Sequence, residues 1–288
     1  MSVEEPIQSR LVPYFGCDSG VAEAVGEELA GCRWVGIPFS GSLAALRCIA
    51  APSIVASDLH RHVVNLCRVV ACDSARRDMF RWLKRQPFHP QELDRCQRYC
   101  RVREPEGVLD VEAAGRYFVT QWMGRSGNAG TDREFTGNVS IRWNGNGGDS
   151  NKRYRSAIRS LAVWGRIMRR CNFEVCDTFE FLAKVQDDAK NGLYIDAPWP
   201  DDGAEYCHKF TEPDQRRLHS VLAKFVNCRV VVRYGDHPLI RELYSEWTWR
   251  GLTSRNQGNN EVDEFLILNG PLMSTGIASA ARQPVMFA

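Results

Sequence analysis

The sequence contains no uninterrupted apolar run long enough to span a bilayer, which excludes a helix-spanning membrane protein. No internal repeat is visible, and this sets aside solenoids and propellers. The opening stretch carries acidic side chains where a secretion signal would need an apolar core, so a cytoplasmic location is expected. Cysteine pairs at zinc-knuckle spacing are also missing. Cys67 and Cys72, Cys96 and Cys100, and Cys171 and Cys176 are each too far apart, and the six histidines form no ligand set, so no metal is expected. The eleven cysteines are odd in number, which favours free thiols over a disulfide framework. A full G-x-G-x-x-G turn is lacking as well, and with it the close approach to a pyrophosphate that a nicotinamide dehydrogenase needs.

What is present fits an ordinary folded chain: 288 residues, 44% hydrophobic and 25% charged, enough to bury one large or two small cores. The segment Leu193-Tyr194-Ile195-Asp196-Ala197-Pro198-Trp199 places a carboxylate, a proline and an indole at the end of an apolar strand. Asp196 offers only acceptors to an amine, Pro198 stiffens the strand exit without an amide hydrogen of its own, and Trp199 supplies a stacking face. Those are the parts of a pocket for a flat base. A plain strand end turning at a proline is the other reading.

Near the amino end, Cys32 to Ile37 reads as a buried strand followed by the small-residue turn Pro38-Phe39-Ser40-Gly41-Ser42. A helix is expected from Leu43 to Ile49, so that the turn presents the amide hydrogens of a helix start to a ligand. A second strand, Ser53 to Ser57, leads to Asp58, 17 residues beyond Gly41. An acidic residue roughly 20 residues after such a turn binds ribose hydroxyls in nucleotide-binding sheets.

In order along the chain, Tyr14-Phe15-Gly16, Pro38-Phe39-Ser40-Gly41-Ser42, Asp58, a long insert, Asp177-Thr178-Phe179 and Asp196-Ala197-Pro198-Trp199 resemble the Dam-like (alpha-group) DNA adenine-specific methyltransferases over about residues 11 to 270. The resemblance implies an α/β fold, a Rossmann-like methyltransferase sheet flanked by helices with an inserted, mostly helical target-recognition domain. It implies S-adenosylmethionine as methyl donor and the exocyclic amine of adenine in duplex DNA as acceptor, the base being flipped out. Asp196, Ala197, Pro198 and Trp199 would then be catalytic. Tyr14, Phe15, Gly16, Pro38, Phe39, Ser40, Gly41, Ser42, Asp58, Asp177 and Phe179 would line the donor site, with Asp177 meeting the donor's adenine amine and Phe179 packing beside its ring. Asp177 also suits a helix cap.

The chain departs from the family in three places. Cys17 and Asp18 stand where a glycine and a lysine are usual, Ser42 stands where the turn usually ends in glycine, and Ala197 replaces the first of two prolines. The family draws its second amine acceptor from the backbone carbonyl at this last position, which alanine also supplies.

Residues 1–72 and 153–288 are expected to form the catalytic domain and residues 73–152 the recognition insert. Residues 59 to 155 hold 18 Lys and Arg against 11 Asp and Glu, while the rest of the chain holds 19 against 24. Phosphate contacts come mainly from basic side chains, so this contrast points to a nucleic-acid-facing segment, a solvated basic face being the alternative. Arg116, Arg125, Asn128, Arg142 and Arg153 are the candidates for contacts to DNA, set among a glycine-rich irregular run at 124–130, a hairpin strand at 139–143 and a second glycine-rich loop. Further helices are expected at 59–70, 92–103, 111–123 and 153–170, the last with its arginines outward. The loop from Pro200 to Phe210, containing Tyr206 and His208, is placed to cover a flipped base. The strand-like pieces 246–250 and 264–268 suit the antiparallel hairpin that ends methyltransferase sheets. A monomer is expected. Two alternatives stay open: a methyltransferase-shaped nucleic-acid-binding protein without catalysis, and a methyltransferase acting on RNA or on the cytosine amine.

Overall fold

A computed structural model describes residues 8–124, 129–139, 141, 149–200, 206–255 and 261–273. Its centre is a seven-stranded mixed sheet of order β3-β2-β1-β4-β5-β7-β6. The strands are β1 (Trp34–Ile37), β2 (Ser53–Asp58), β3 (Cys171–Val175), β4 (Asn191–Ile195), β5 (Arg229–Gly235), β6 (Thr248–Arg255) and β7 (Glu261–Leu268). The first five run parallel, and β7 enters antiparallel between β5 and β6. Helices flank the sheet, an arrangement compatible with a Rossmann-like fold.

Strand periodicity explains how both faces are covered. In β4, Leu193 and Ile195 point into a core with α7 (Thr178–Leu182), α8 (Glu212–Leu222) and α9 (Pro238–Leu243), whereas Tyr194 points to the opposite side. Val230 and Val232 of β5 share the first face and Val231 the second. The second face is covered by α1 (Ala22–Glu28), α2 (Arg61–Ala71) and α6 (Ser150–Met168) together with α3 (Asp73–Arg85), α4 (Pro90–Val102) and α5 (Val111–Met123). Parallel strands buried on both sides read as continuous apolar runs, as Val230 to Val232 does.

Helix starts follow local chemistry. The Asp110 carboxylate accepts from the Ala113 amide at α5, Asp149 accepts from the Asn151 and Lys152 amides at α6, and Pro90 occupies the first turn of α4. The helices expected at 59–70, 92–103, 111–123 and 153–170 correspond to α2, α4, α5 and α6. In α6, Arg159 and Arg166 are exposed, as is Arg169 just past its end. Neither Val139 nor Ile141 lies in a strand, and the remainder of the expected 139–143 hairpin strand lies outside the described residues.

Helices α3 and α4 each pack on α5, and α3 and α5 pack on α2 and α6, within the same apolar core that backs the sheet. The order of strands reverses between β1 and β4: the chain leaves β1 toward β2 on one side and leaves β4 toward β5 on the other. Segments leaving the carboxyl ends of these two strands therefore diverge, and a crevice opens between them, the usual position of a ligand site in such sheets.

Candidate functional site

A cavity of about 1140 Å³ lies at this crevice. Fourteen of the fifteen residues expected at the catalytic and donor sites line it: Tyr14, Phe15 and Gly16; Pro38, Phe39, Gly41 and Ser42; Asp58; Asp177 and Phe179; and Asp196 through Trp199. The fifteenth, Ser40, stands behind the wall, its hydroxyl directed at Asp58 Oδ2 at 3.4 Å. Segments scattered over most of the chain meet here because β1, β2, β3 and β4 all end at the same edge of the sheet.

The turn after β1 differs from expectation. Instead of an α-helix from Leu43 to Ile49 there is a four-residue 3-10 helix, Ala44–Arg47, preceded by Leu43 in the left-handed region at φ 52°. Three of its amide hydrogens are already taken. The Gly41 amide donates to Asp58 Oδ2 at 3.0 Å, the Ala44 amide to Ser42 Oγ, and the Ala45 amide to Asp18 Oδ2 at 3.1 Å. The reason is Asp18: buried beside the turn, it also accepts from Ser42 Oγ at 2.6 Å, so its carboxylate takes the place an anionic ligand would need. Asp18 and Ser42, two of the departures from the family pattern, thus contact one another.

Asp58 is a receiver on both oxygens, taking the Gly41 amide on one and the His60 amide, at 2.9 Å, on the other. A carboxylate has about four lone-pair directions, so acceptor capacity remains on the cavity side. Asp177 is a helix cap, accepting from the amides of Phe179 at 2.8 Å and Glu180 at 3.4 Å, and it lines the cavity as well. Phe210 meets Phe39 edge-on at 5.5 Å and lies nearly parallel to Phe179 at 6.4 Å, giving the cavity an aromatic wall.

At the end of the cavity beside β4, Trp199 stands over the end of β5, where a Cβ on Gly235 would come within 2.6 Å of the indole, so this close approach requires glycine. The Pro198 carbonyl accepts from Gln215 Nε2 at 2.6 Å, and Gln215 in turn accepts from the Tyr234 hydroxyl, which fixes the peptide chain just past Ala197. Asp196 is paired with a residue that sequence reasoning did not single out. Arg233 Nη1 donates to both Asp196 oxygens, at 3.2 and 3.1 Å, and to the Gly16 carbonyl at 2.6 Å, while Arg233 Nε donates to Glu264 at 2.8 Å. The sequence did hold a signal: a guanidinium at the end of the apolar run Val230 to Val232 is buried on folding and must be paired. Register then decides with what. Ile195 aligns with Val232, so the next pair up the sheet is Asp196 with Arg233, and Glu264 comes in on β7.

Burial pushes the Asp196 carboxyl up to about 7; Arg233 opposes the rise, and Asp18 and Glu264 reinforce it. Asp196 keeps 19% of its side-chain surface exposed, toward the cavity.

The neighbouring segments are tied together around the opening. Tyr14 bridges to Ala129, the Phe15 amide donates to the Ala129 carbonyl at 3.3 Å, and the Cys207 amide donates to the Gly130 carbonyl at 3.0 Å. Gly130 has φ +80°, and a Cβ there would meet the Tyr14 hydroxyl at 2.2 Å. Tyr206 to Phe210, from the loop expected to cover the site, lines the cavity.

Of the candidates for DNA contact, Arg153 lines the cavity. Arg116 does not: Glu112 accepts from it at 2.8 Å, and its guanidinium lies 4.6 Å from the centre of the Tyr99 ring. Arg125, Asn128 and Arg142 lie outside the described residues. Among the described residues no three His, Cys, Asp or Glu side chains gather as a metal site, and no helix is long and apolar enough to cross a membrane. No protein-family model matches the chain, and no curated protein matches its sequence.

Proposed function

We propose that this chain is a methyltransferase that moves a methyl group from S-adenosylmethionine to the exocyclic amine of adenine in DNA. The observation that carries the reading is the meeting, in one cavity, of the Phe39–Asp58 side of the sheet with the Asp196–Trp199 strand end. A donor nucleoside and a base need adjoining places, and 1140 Å³ exceeds what one small ligand fills. The antiparallel hairpin at the sheet edge, β6 with β7, is the ending expected of methyltransferase sheets.

The residues present suit this donor. Asp58 has acceptor capacity for ribose hydroxyls, and Phe39, Phe179 and Phe210 offer faces and edges to a purine. Asp196 lines the cavity with part of its carboxylate exposed, an acidic group that a sulfonium would find favourable. When bound, the donor supplies an activated methyl group, which needs no covalent enzyme intermediate.

The protein's share is alignment. Adenine's amine is a weak nucleophile because its lone pair is delocalised into the ring. Asp196 and the Ala197 carbonyl accept its two hydrogens and favour the pyramidal nitrogen as charge develops. Trp199 stacks on the base and aims the nitrogen at the methyl group. A base within a duplex cannot reach this depth, so it must swing out, at an unstacking cost of a few kcal/mol.

The test is incubation of the protein with donor labelled in its methyl group and separate pools of duplex DNA, single-stranded DNA and RNA, followed by identification of the modified base. N6-methyladenine in DNA is expected. Label confined to RNA or to cytosine would replace the acceptor in this reading, and DNA binding with no label in any pool would replace catalysis by binding alone.

A further inference from the structure

We propose that Arg233 is the positioning residue of this site: it keeps Asp196 in its acceptor form and ties that carboxylate to the Gly16 segment on the opposite wall. The inference rests on the reading above for its catalytic consequence, though not for its physical content.

Three observations carry it. First, Arg233 is 4% exposed yet lines the cavity, so the protein has placed a guanidinium at the floor of a site, where it is desolvated and costly unless fully paired. Second, its donors are divided in a fixed plane. Nε holds Glu264, and this orients Nη1 so that one nitrogen reaches both Asp196 oxygens and the Gly16 carbonyl. A single nitrogen between the two oxygens leaves the remaining lone pairs of Asp196 for an incoming amine. Third, Asp196 stands among other carboxylates. The groups facing it are Arg233 and Tyr234 from β5, Glu264 from β7, Asp18 from the segment after Gly16, and Tyr194 from its own strand. Two of these are carboxylates, and Arg233 is the cation that contacts Asp196 among the described residues. A protonated Asp196 would present a hydroxyl donor to an amine that is itself a donor, and the acceptor role would be lost.

Gly16 gives the arrangement a second consequence. The Tyr14-Phe15-Gly16 segment turns through a left-handed glycine at φ +69°, and its carbonyl is held by the same nitrogen that holds Asp196. Donor wall and base acceptor therefore share one fastening.

The experiment compares wild type, Arg233→Lys and Arg233→Gln by two readouts: methyl transfer as a function of pH, and the titration of the Asp196 carboxyl followed by carbon-13 NMR. In wild type, transfer rises with pH through the titration of Asp196, since only the ionised form accepts. Removing the cation in Arg233→Gln moves both curves to higher pH by about one unit or more, which is a loss of about tenfold in transfer on the acid limb that is regained at high pH. Arg233→Lys keeps the titration near that of wild type but lowers kcat, because one ammonium lacks the planar fork that reaches Glu264, Asp196 and Gly16 together. A merely structural arginine would lower both rates with unchanged pH profiles. The proposal is overturned if Asp196 titrates in a folded Arg233→Gln protein where it does in wild type, or, should that variant not fold, if Arg233→Lys transfers methyl as wild type does. If wild type modifies no nucleic acid, the function proposed above fails, while the NMR titration still decides the part played by Arg233.

Discussion

Two buried polar clusters are built to opposite ends. At Glu134 three donors converge: one oxygen accepts from the Tyr117 hydroxyl at 2.6 Å and Gln121 Nε2 at 3.0 Å, and the other pairs with His60 Nε2 at 2.6 Å. The Nε2–H tautomer of His60 satisfies this contact and leaves Nδ1 to receive the Val63 amide at the start of α2. All of these side chains are buried, and neither Glu134 nor His60 lines the cavity. At Asp196 one guanidinium serves two carboxylates, and the cluster opens on the cavity. The sealed cluster holds the loop that carries Gly130 against the helices, whereas the open one retains acceptor capacity toward the cavity. Access to the cavity is what distinguishes the structural use of a buried carboxylate from a chemical one.

The comparison can be broken first at the sealed cluster. Glu134→Ala leaves His60, Tyr117 and Gln121 without their shared acceptor, and a loss of about 3–5 kcal/mol in unfolding free energy is expected by chemical denaturation. A loss below about 1 kcal/mol would mean that the cluster holds nothing together.

At the open cluster the balance reverses. Asp196→Ala should lower methyl transfer on the order of 10²- to 10³-fold, the scale of removing one group that stabilises developing charge, with donor binding and melting temperature largely kept. Stability is spared because Arg233 retains Glu264 and the Gly16 carbonyl. Normal transfer by this variant would show that the acceptor lies elsewhere.

The smallest effect concerns pH and stability. Because the folded carboxyl of Asp196 sits at about 7, above its ordinary 3.8, the folded state binds its proton more tightly than the unfolded chain does. Its favourable contribution is therefore complete below pH 3.8 and is lost as pH rises through 7. Asp196→Asn, which mimics the protonated form, should melt about 2–4 °C above wild type at pH 8, with the gap narrowing as pH falls and closing only near about pH 4. A gap independent of pH would remove the open cluster's distinguishing feature.

Local chemistry made much of this chain readable. Val111 to Met123 read as a helix, Val230 to Val232 as part of a buried strand, and Pro38 to Ser42 as a tight turn, since each depends on neighbours within a few residues or on simple periodicity. The ordered motifs were legible for the same reason, and the cavity gathers them. Three things were not legible. The helix expected after Ser42 shrank to a 3-10 turn because Asp18, 24 residues away in sequence, takes its hydroxyl and amide donors. Helices α3 to α5, separated in the sequence by composition, share one core with α2 and α6. Arg233 could be recognised as a charge needing a partner, but not which one.

The sequence by itself determined the periodicities, the turn chemistry and the motif residues that the cavity gathers, because these are properties of short stretches. Only the tertiary structure decided that Asp196 and Glu264 divide one guanidinium while Glu134 collects three donors away from the cavity. Pairing across strands depends on register, and register is fixed by the packing of the whole sheet against its helices, which no short stretch encodes.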